Sequence, residues 1–134
     1  MTKMIFVNFP VRDLPRSKSF FASLGYTFNP KFTNDDAACM VVSDTIFVML
    51  LTEHFFKTFT KKEITDAHTA TEVLVCLNEP SRAAVDAHLE KALAAGASES
   101  REPQDHGFMY GRSYSDLDGH IWEVMWMDEA AAHA

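Results

Sequence analysis

Residues 4–25, MIFVNFPVRDLPRSKSFFASLG, decide how the rest of the chain is read. Met4 to Val11 is a run of β-branched and aromatic residues and reads as a strand. Asp13 follows as a helix N-cap, and Pro15 is tolerated in the first turn, where a missing N–H costs nothing. Leu14, Phe21 and Leu24 recur with the helical period, with Phe20 beside them, and Gly25 supplies the left-handed stop. A helix is therefore expected over Leu14 to Leu24. Three strands follow it, at Thr27 to Phe32, Ala37 to Ser43 and Ile46 to Leu51, separated by the turns Asn34-Asp35-Asp36 and Ser43-Asp44. The order is β-α-β-β-β.

The same order recurs further on. Glu72 to Leu77 reads as a strand, and Ser81 caps a helix carrying Val85, Leu89, Ala92 and Leu93 that Gly96 ends. Short strands are expected at Ala97 to Arg101 and Met109 to Ser115, and the turn Asp116-Leu117-Asp118-Gly119 feeds a last strand from His120 to Met127. Architecture repeats here, while sequence does not. The expectation is an α+β fold in one domain spanning residues 1–134, with module one at about 3–51 and module two at about 71–127. The connector 53–70 holds Phe55, Phe56 and Phe59, too many apolar rings for a plain linker; it packs a helical turn on the core or covers a pocket. The tail from Asp128 is Ala-rich and expected to fray.

With 134 residues the chain can bury about two-thirds of its unfolded surface, enough for a core without staples. Twelve Lys+Arg against nineteen Asp+Glu give a net charge of −7, and no basic stripe occurs, so nucleic acid and anionic membrane are excluded as partners. Cys39 and Cys76 each lie in an apolar run without metal-style spacing and read as buried free thiols. Met1-Thr2-Lys3 runs directly into a strand with no signal-like segment, and no stretch approaches a membrane span, which points to the cytoplasm. Walker, dinucleotide and serine-hydrolase motifs are absent from the sequence.

Two motifs bracket the chain. Val11-Arg12-Asp13-Leu14-Pro15-Arg16-Ser17, then Phe20-Phe21 and Leu24-Gly25, resembles the V-x-D-L-x-R-S…F-Y…L-G opening of the glyoxalase/bleomycin-resistance/extradiol dioxygenase (vicinal oxygen chelate) superfamily. Asp116-Leu117-Asp118-Gly119-His120 with Glu123-Val124 is similar to its D-P-D-G-H…E-L close, with Leu117 in place of proline. The resemblance implies two βαβββ modules forming curled mixed sheets around a cup, a homodimer, and a lactoylglutathione-lyase-like branch. Metal-dependent members place a ligand on the first and last strand of each module, for a divalent ion such as Ni, Zn, Mn or Fe. Carried over position by position, these fall on Phe6, Leu50, Glu72 and Glu123. Phe6 and Leu50 cannot ligate, a two-residue slip from Phe6 reaches Asn8, and only Glu72 and Glu123 remain as metal candidates.

Glu123 lies among Ile121, Trp122, Val124, Met125 and Trp126, where a charge needs a reason. It either pairs with a buried donor such as Arg112 or a tyrosine, or faces a cup as a general base or ligand anchor. Glu72 opens its strand and suits a solvated edge equally well. His68, His106 and His120 show no metal-site spacing. Eleven Phe and seven Met are enough to line an apolar cup as well as a core. Tyr110, Arg112 and Tyr114 share one strand face and would give a ligand polar contacts; the opposite parity offers Met109, Gly111 and Ser113 instead.

Three functions fit. The first is a small-molecule-binding protein holding an aromatic or cationic ligand, with Phe6, Asn8, Leu50, Glu72, Tyr110, Arg112 and Met125 as contacts. The second is a divalent-metal lyase, isomerase or dioxygenase of glyoxalase type, and the third a metal-free enzyme with Glu123 as its catalytic base.

Overall fold

The computed structural model describes residues 2–132. The chain divides into two compact units, Met1–Ile64 and Thr65–Ala134. Both are α+β, and each contains a four-stranded mixed sheet that does not close on itself.

In the first unit, β1 (Ile5–Val11), β2 (Thr27–Phe28), β3 (Ala37–Val41) and β4 (Ile46–Thr52) lie in the order β1-β4-β3-β2. The β1–β4 pair is parallel and the other pairs antiparallel. Helix α1 (Leu14–Ser23) joins β1 to β2, as a crossover between non-neighbouring strands requires. Asp13 caps it by accepting the Arg16 N–H at 3.1 Å. Its end is a Schellman turn: Gly25, at φ 103°, donates to Ala22 O and Tyr26 donates back to Phe21 O. Phe20 and Phe21 are buried from this helix, contributing about 2–3 kcal/mol each.

The strand expected over Thr27 to Phe32 stops at Phe28. Pro30 brings no N–H to a ladder, and Asn29 caps a 3-10 turn at Pro30–Phe32 by accepting from Lys31 N–H. The phenylalanine-rich connector opens with α2 (Glu53–Phe56), capped by Thr52, which packs against β1 and β4.

The second unit repeats the plan. Its strands β5 (Leu74–Asn78), β6 (Ser98–Asp105), β7 (Met109–Ser115) and β8 (Ile121–Met127) lie in the order β5-β8-β7-β6, again with one parallel pair, β5–β8. Helix α3 (Arg82–Ala94) is capped by Ser81 and closed by a second Schellman turn at Gly96, φ 111°. Strand β6 runs past the expected end at Arg101. It is an edge strand, and Pro103 falls within the register shift between Arg101 and Gln104, where it removes no ladder bond the sheet needs. The described part of the tail forms the short helix α4 (Glu129–Ala132), where fraying was expected; residues 133–134 lie outside the described residues.

The turn Asp116-Leu117-Asp118-Gly119 is organised by its first residue. The buried Asp116 carboxylate accepts from the N–H groups of Asp118 and His120 and from the Trp122 indole, at 2.9–3.0 Å. Gly119, at φ 88°, leaves no room for a side chain, because a Cβ would lie 2.8 Å from the backbone of Ala67 and His68.

No helix among the described residues is long and apolar enough to cross a membrane.

Candidate functional site

Each sheet has one face packed under its long helix and an opposite, more open face, and strand alternation assigns every side chain to one or the other; in the first sheet Ala37, Cys39 and Leu51 are buried on the more open face too. In the first unit Phe9, Val11, Ala38, Met40, Val48 and Leu50 share the buried face. Leu50 is fully buried, paired with Phe9 and Ala38, and this corrects its assignment to a binding wall: it is one residue out of register with the open face. Phe6 is on the open face, 49% exposed and stacked on Phe47 at 4.9 Å. Asn8 is exposed on the same face and paired with Met49 in the ladder.

The helix caps give the equivalent positions in the second unit. Asn8 stands five residues before the Asp13 cap, and Cys76 stands five before the Ser81 cap. The parallel ladders agree, since Asn8 faces Met49 and Cys76 faces Glu123. Glu72 is exposed and lies outside β5, two residues before it, so it does not line the surface around Glu123. The place opposite Glu123 belongs to the thiol of Cys76. Cys76 is exposed, where a buried thiol was expected, because β5 is an edge strand and Cys76 points to its open face. Partial desolvation, and then the Glu123 carboxylate, hold that thiol above its ordinary pKa. Cys39 is buried as expected.

On the open face of the second sheet one row crosses all four strands: Arg101, Ser113, Glu123, Cys76. The next row is Gln104, Gly111, Met125, Asn78. Adjacent strands lie about 4.8 Å apart, so each row presents a line of side chains about 14 Å long. Gly111 leaves a gap in the second row, and an open hollow of about 160 Å³ forms there, walled by Met109, Met125, Glu123, Ser113 and Arg101. That volume is below the usual range of about 300–1,000 Å³ for drug-sized ligands and suits a small ring-bearing molecule.

Glu123 is partly buried, and among the described residues a single cation approaches it: Arg101 Nη2, 3.8 Å from Oε2. Neither Arg112 nor a tyrosine is its partner. Arg112 borders the hollow, but its guanidinium binds Glu99 and Asp86 at 3.1 Å, bonds that raise its pKa, and lies 3.7 Å from Glu90. Tyr110 donates its hydroxyl to Asp86 at 2.6 Å. Asp86 and Glu90 are on α3, so Tyr110 and Arg112 belong to the helix-covered face and do not share a face with Glu123. The β7 residues that do are Met109, Gly111 and Ser113. Met125 is where a binding role requires it, on the open face beside Glu123.

The divalent ion implied by the sequence resemblance does not fit this donor set. Cys76 and Glu123 are adjacent, but a thiol held above its ordinary pKa is a poor ligand until deprotonated, and the neighbouring positions are Ser, Gly and Met. Among the described residues no group of three or more His, Cys, Asp and Glu is placed to hold an ion. His120 is tied into the Asp116 turn through its backbone, His68 donates its backbone N–H to Asp66, and His106 lies beside Phe108.

Arg101 and Gln104 were not singled out from sequence; Cys76 was read as a buried thiol, and Ser113 was named only on the alternative strand parity. The five-residue spacing ahead of each cap was the available signal for Cys76, and nothing in the sequence marks the bulges that bring Arg101 and Gln104 onto the open face.

Residues 3–43 match a family described as bleomycin resistance protein-like N-terminal. No curated protein matches the sequence. Among solved structures, the chain is similar to the hypothetical protein SA1046 from S. aureus, with 25% identity over 94% of this chain and 95% of that one, and a TM-score of 0.79. A glyoxalase/bleomycin resistance protein/dioxygenase family enzyme from Burkholderia phytofirmans PsJN shares the fold at 14% identity, 94% and 99% coverage and a TM-score of 0.77. The fosfomycin resistance protein FosX from Mesorhizobium loti does so at 15% identity, 100% and 99% coverage and a TM-score of 0.71.

Proposed function

We propose that the chain is a member of the glyoxalase/bleomycin resistance/dioxygenase superfamily, whose fold it shares and whose N-terminal family its residues 3–43 match, and that it is a cytoplasmic small-molecule-binding protein. The ligand is aromatic and carries a cation, and it sits in the hollow of the second sheet. The observation that carries this reading is Glu123: a partly buried carboxylate at the wall of an apolar hollow, approached among the described residues only by an arginine beyond hydrogen-bond distance. Met109 and Met125 offer polarisable contacts to a ring laid over Gly111. Two free cysteines accord with a reducing compartment. The superfamily resemblance supports a homodimer, and the exposed Met4, Ile5 and Phe6 are apolar area of the kind that subunit contacts cover.

Calorimetric titration with phenethylamine tests the reading. Glu123→Gln is expected to weaken binding about tenfold, the loss of one charge-assisted hydrogen bond. Gly111→Val fills the hollow and is expected to abolish binding while leaving the fold intact, since a Cβ there meets its nearest neighbours at 3.6 Å, ordinary contact. Unchanged affinity in both variants sinks the site.

The same carboxylate supports a second reading, in which Glu123 is the general base of a glyoxalase-type lyase or isomerase on the lactoylglutathione-lyase-like branch. Turnover of a hemithioacetal that disappears in Glu123→Gln would favour it over simple binding.

A further inference from the structure

The row Arg101–Ser113–Glu123 places a cation and an anion on one sheet face, two strands apart, at the rim of the hollow. Their approach is loose. Arg101 Nη2 stands 3.8 Å from Glu123 Oε2, and the arginine side chain is 59% exposed while the glutamate is 28% exposed. An exposed pair without a hydrogen bond gains little by staying closed. The residue between them is uncharged, and its hydroxyl accepts a hydrogen bond from Ser100. The other arginine at the hollow, Arg112, is held by its three carboxylates and cannot answer Glu123. Arg101 also stands where the β6 ladder shifts register on both sides, at the edge of the sheet, so its backbone is the least constrained of the row.

From this arrangement we propose that the ligand is a zwitterion, an amino-acid-like molecule with adjacent ammonium and carboxylate groups on an aromatic body, and that Arg101 is the residue that selects it. The proposal rests on the binding reading above. Glu123 takes the ammonium, and Arg101 swings outward to take the carboxylate in its guanidinium fork. A purely cationic ligand has to displace Arg101 without rewarding it, and a purely anionic one leaves Glu123 facing a like charge. Gln104, beside Arg101 in the next row, is placed to add a neutral hydrogen bond.

Cys76 makes the charge balance measurable without any ligand. It is exposed and opposite Glu123, whereas Cys39 is buried, so methanethiosulfonate reagents report on Cys76 alone. The measurement is the ratio of its modification rates by a trimethylammonium-bearing and a sulfonate-bearing reagent. Glu123→Gln is expected to lower the cationic-to-anionic ratio about fivefold, the effect of one charge on the neighbouring strand, and Arg101→Met, whose guanidinium lies beyond Glu123, to raise it about twofold.

Titrations with phenylalanine, phenethylamine and 3-phenylpropionate complete the test. Phenylalanine is expected to bind about tenfold more tightly than either single-charge analogue, with Arg101→Met reducing it to the level of phenethylamine. A rate ratio unmoved by Arg101→Met, with phenethylamine bound as tightly as phenylalanine, overturns the zwitterion and keeps the receptor. A ratio that moves while none of the three probes binds overturns the receptor reading and the zwitterion with it.

Discussion

The two units are built to one plan and filled with different chemistry. Counted from the helix caps and the ladders, Asn8, Met49 and Cys39 in the first unit correspond to Cys76, Glu123 and Ser113 in the second. The open-face row is neutral in one and charged in the other. Beneath the sheets the same contrast holds. Val11, Phe20 and Met40 are buried apolar side chains, while their counterparts Glu79, His88 and Tyr114 form a hydrogen-bonded set: Nδ1 of His88 lies 3.0 Å from Glu79 and Nε2 lies 3.3 Å from the Tyr114 hydroxyl. The caps and Schellman turns are common to both, so the backbone plan depends on a few local hydrogen-bond positions and tolerates either chemistry on the sheet. The first unit's sheet is filled with apolar side chains, while the second adds to its own buried core of Val85, Leu89, Trp122 and Val124 the polar groups that a binding site needs.

The hairpins before β4 and β8 give the sharpest test of that contrast. Ser43 closes the first by accepting from Thr45 N–H and Ile46 N–H at 3.2–3.3 Å on an exposed loop. Asp116 closes the second from a buried position with three shorter bonds. Asp116→Ala leaves three donors without their acceptor and is expected to cost about 3–4 kcal/mol, against about 0.5 kcal/mol for Ser43→Ala. Both tryptophans, Trp122 and Trp126, lie in the second unit, so urea titration followed by tryptophan fluorescence reads that unit, and far-ultraviolet dichroism reads both. Equal losses in the two variants would mean that the turns are interchangeable.

Physical reasons separate what the sequence disclosed from what it hid. The βαβββ order was legible because caps, glycine stops and periodicity are local, and Asp13, Gly25, Ser81 and Gly96 act within one turn of the chain. Glu123 and Met125 were legible as unusual residues in an apolar strand. Face assignment was not: it depends on register, which one residue reverses, and Leu50, Tyr110 and Arg112 all fell on the side that packs beneath a helix. Glu72 was misplaced because its strand starts two residues later, at Leu74. Arg101 could not be found at all, since a bulge around Pro103 on an edge strand leaves no periodic trace.

The buried polar set yields the next effect in size. Burial holds the His88 pKa down, so the ring is neutral at pH 7 and bridges Glu79 and Tyr114 as both donor and acceptor. His88→Phe copies Phe20 but strips both partners of the ring nitrogens, and a loss of about 2 kcal/mol is expected. Changing all three together, with Glu79→Val, His88→Phe and Tyr114→Met, copies the first unit completely and is expected to cost less than the single change, about 1 kcal/mol. Denaturation midpoints of the single and triple variants decide this. A triple variant much weaker than the single one would show that the second unit cannot accept the first unit's packing.

The smallest expected effect concerns the helix starts. Leu14, the first residue of α1, is buried; its counterpart Arg82 lies over the rings of Tyr110 and Trp126, 5.2 Å from each, and forks onto Asp105 at 2.9–3.0 Å. That fork, with the Gly107 N–H, lowers the Asp105 carboxyl from 3.8 to about 2. A carboxylate with a lowered folded-state pKa binds fewer protons folded than unfolded. Its stabilising contribution is therefore complete above 3.8 and lost as the pH falls towards about 2. Wild type is expected to resist urea better than Asp105→Asn at pH 7 and at pH 5, with the gap closing between 3.8 and about 2. Because both partners are substantially exposed, solvent and salt screen the pair, and added salt should narrow the gap at neutral pH as well. A gap that persists unchanged to pH 2 would assign the effect of Asp105→Asn to the shape of the hairpin rather than to its charge, and would leave Arg82 as a packing residue like Leu14.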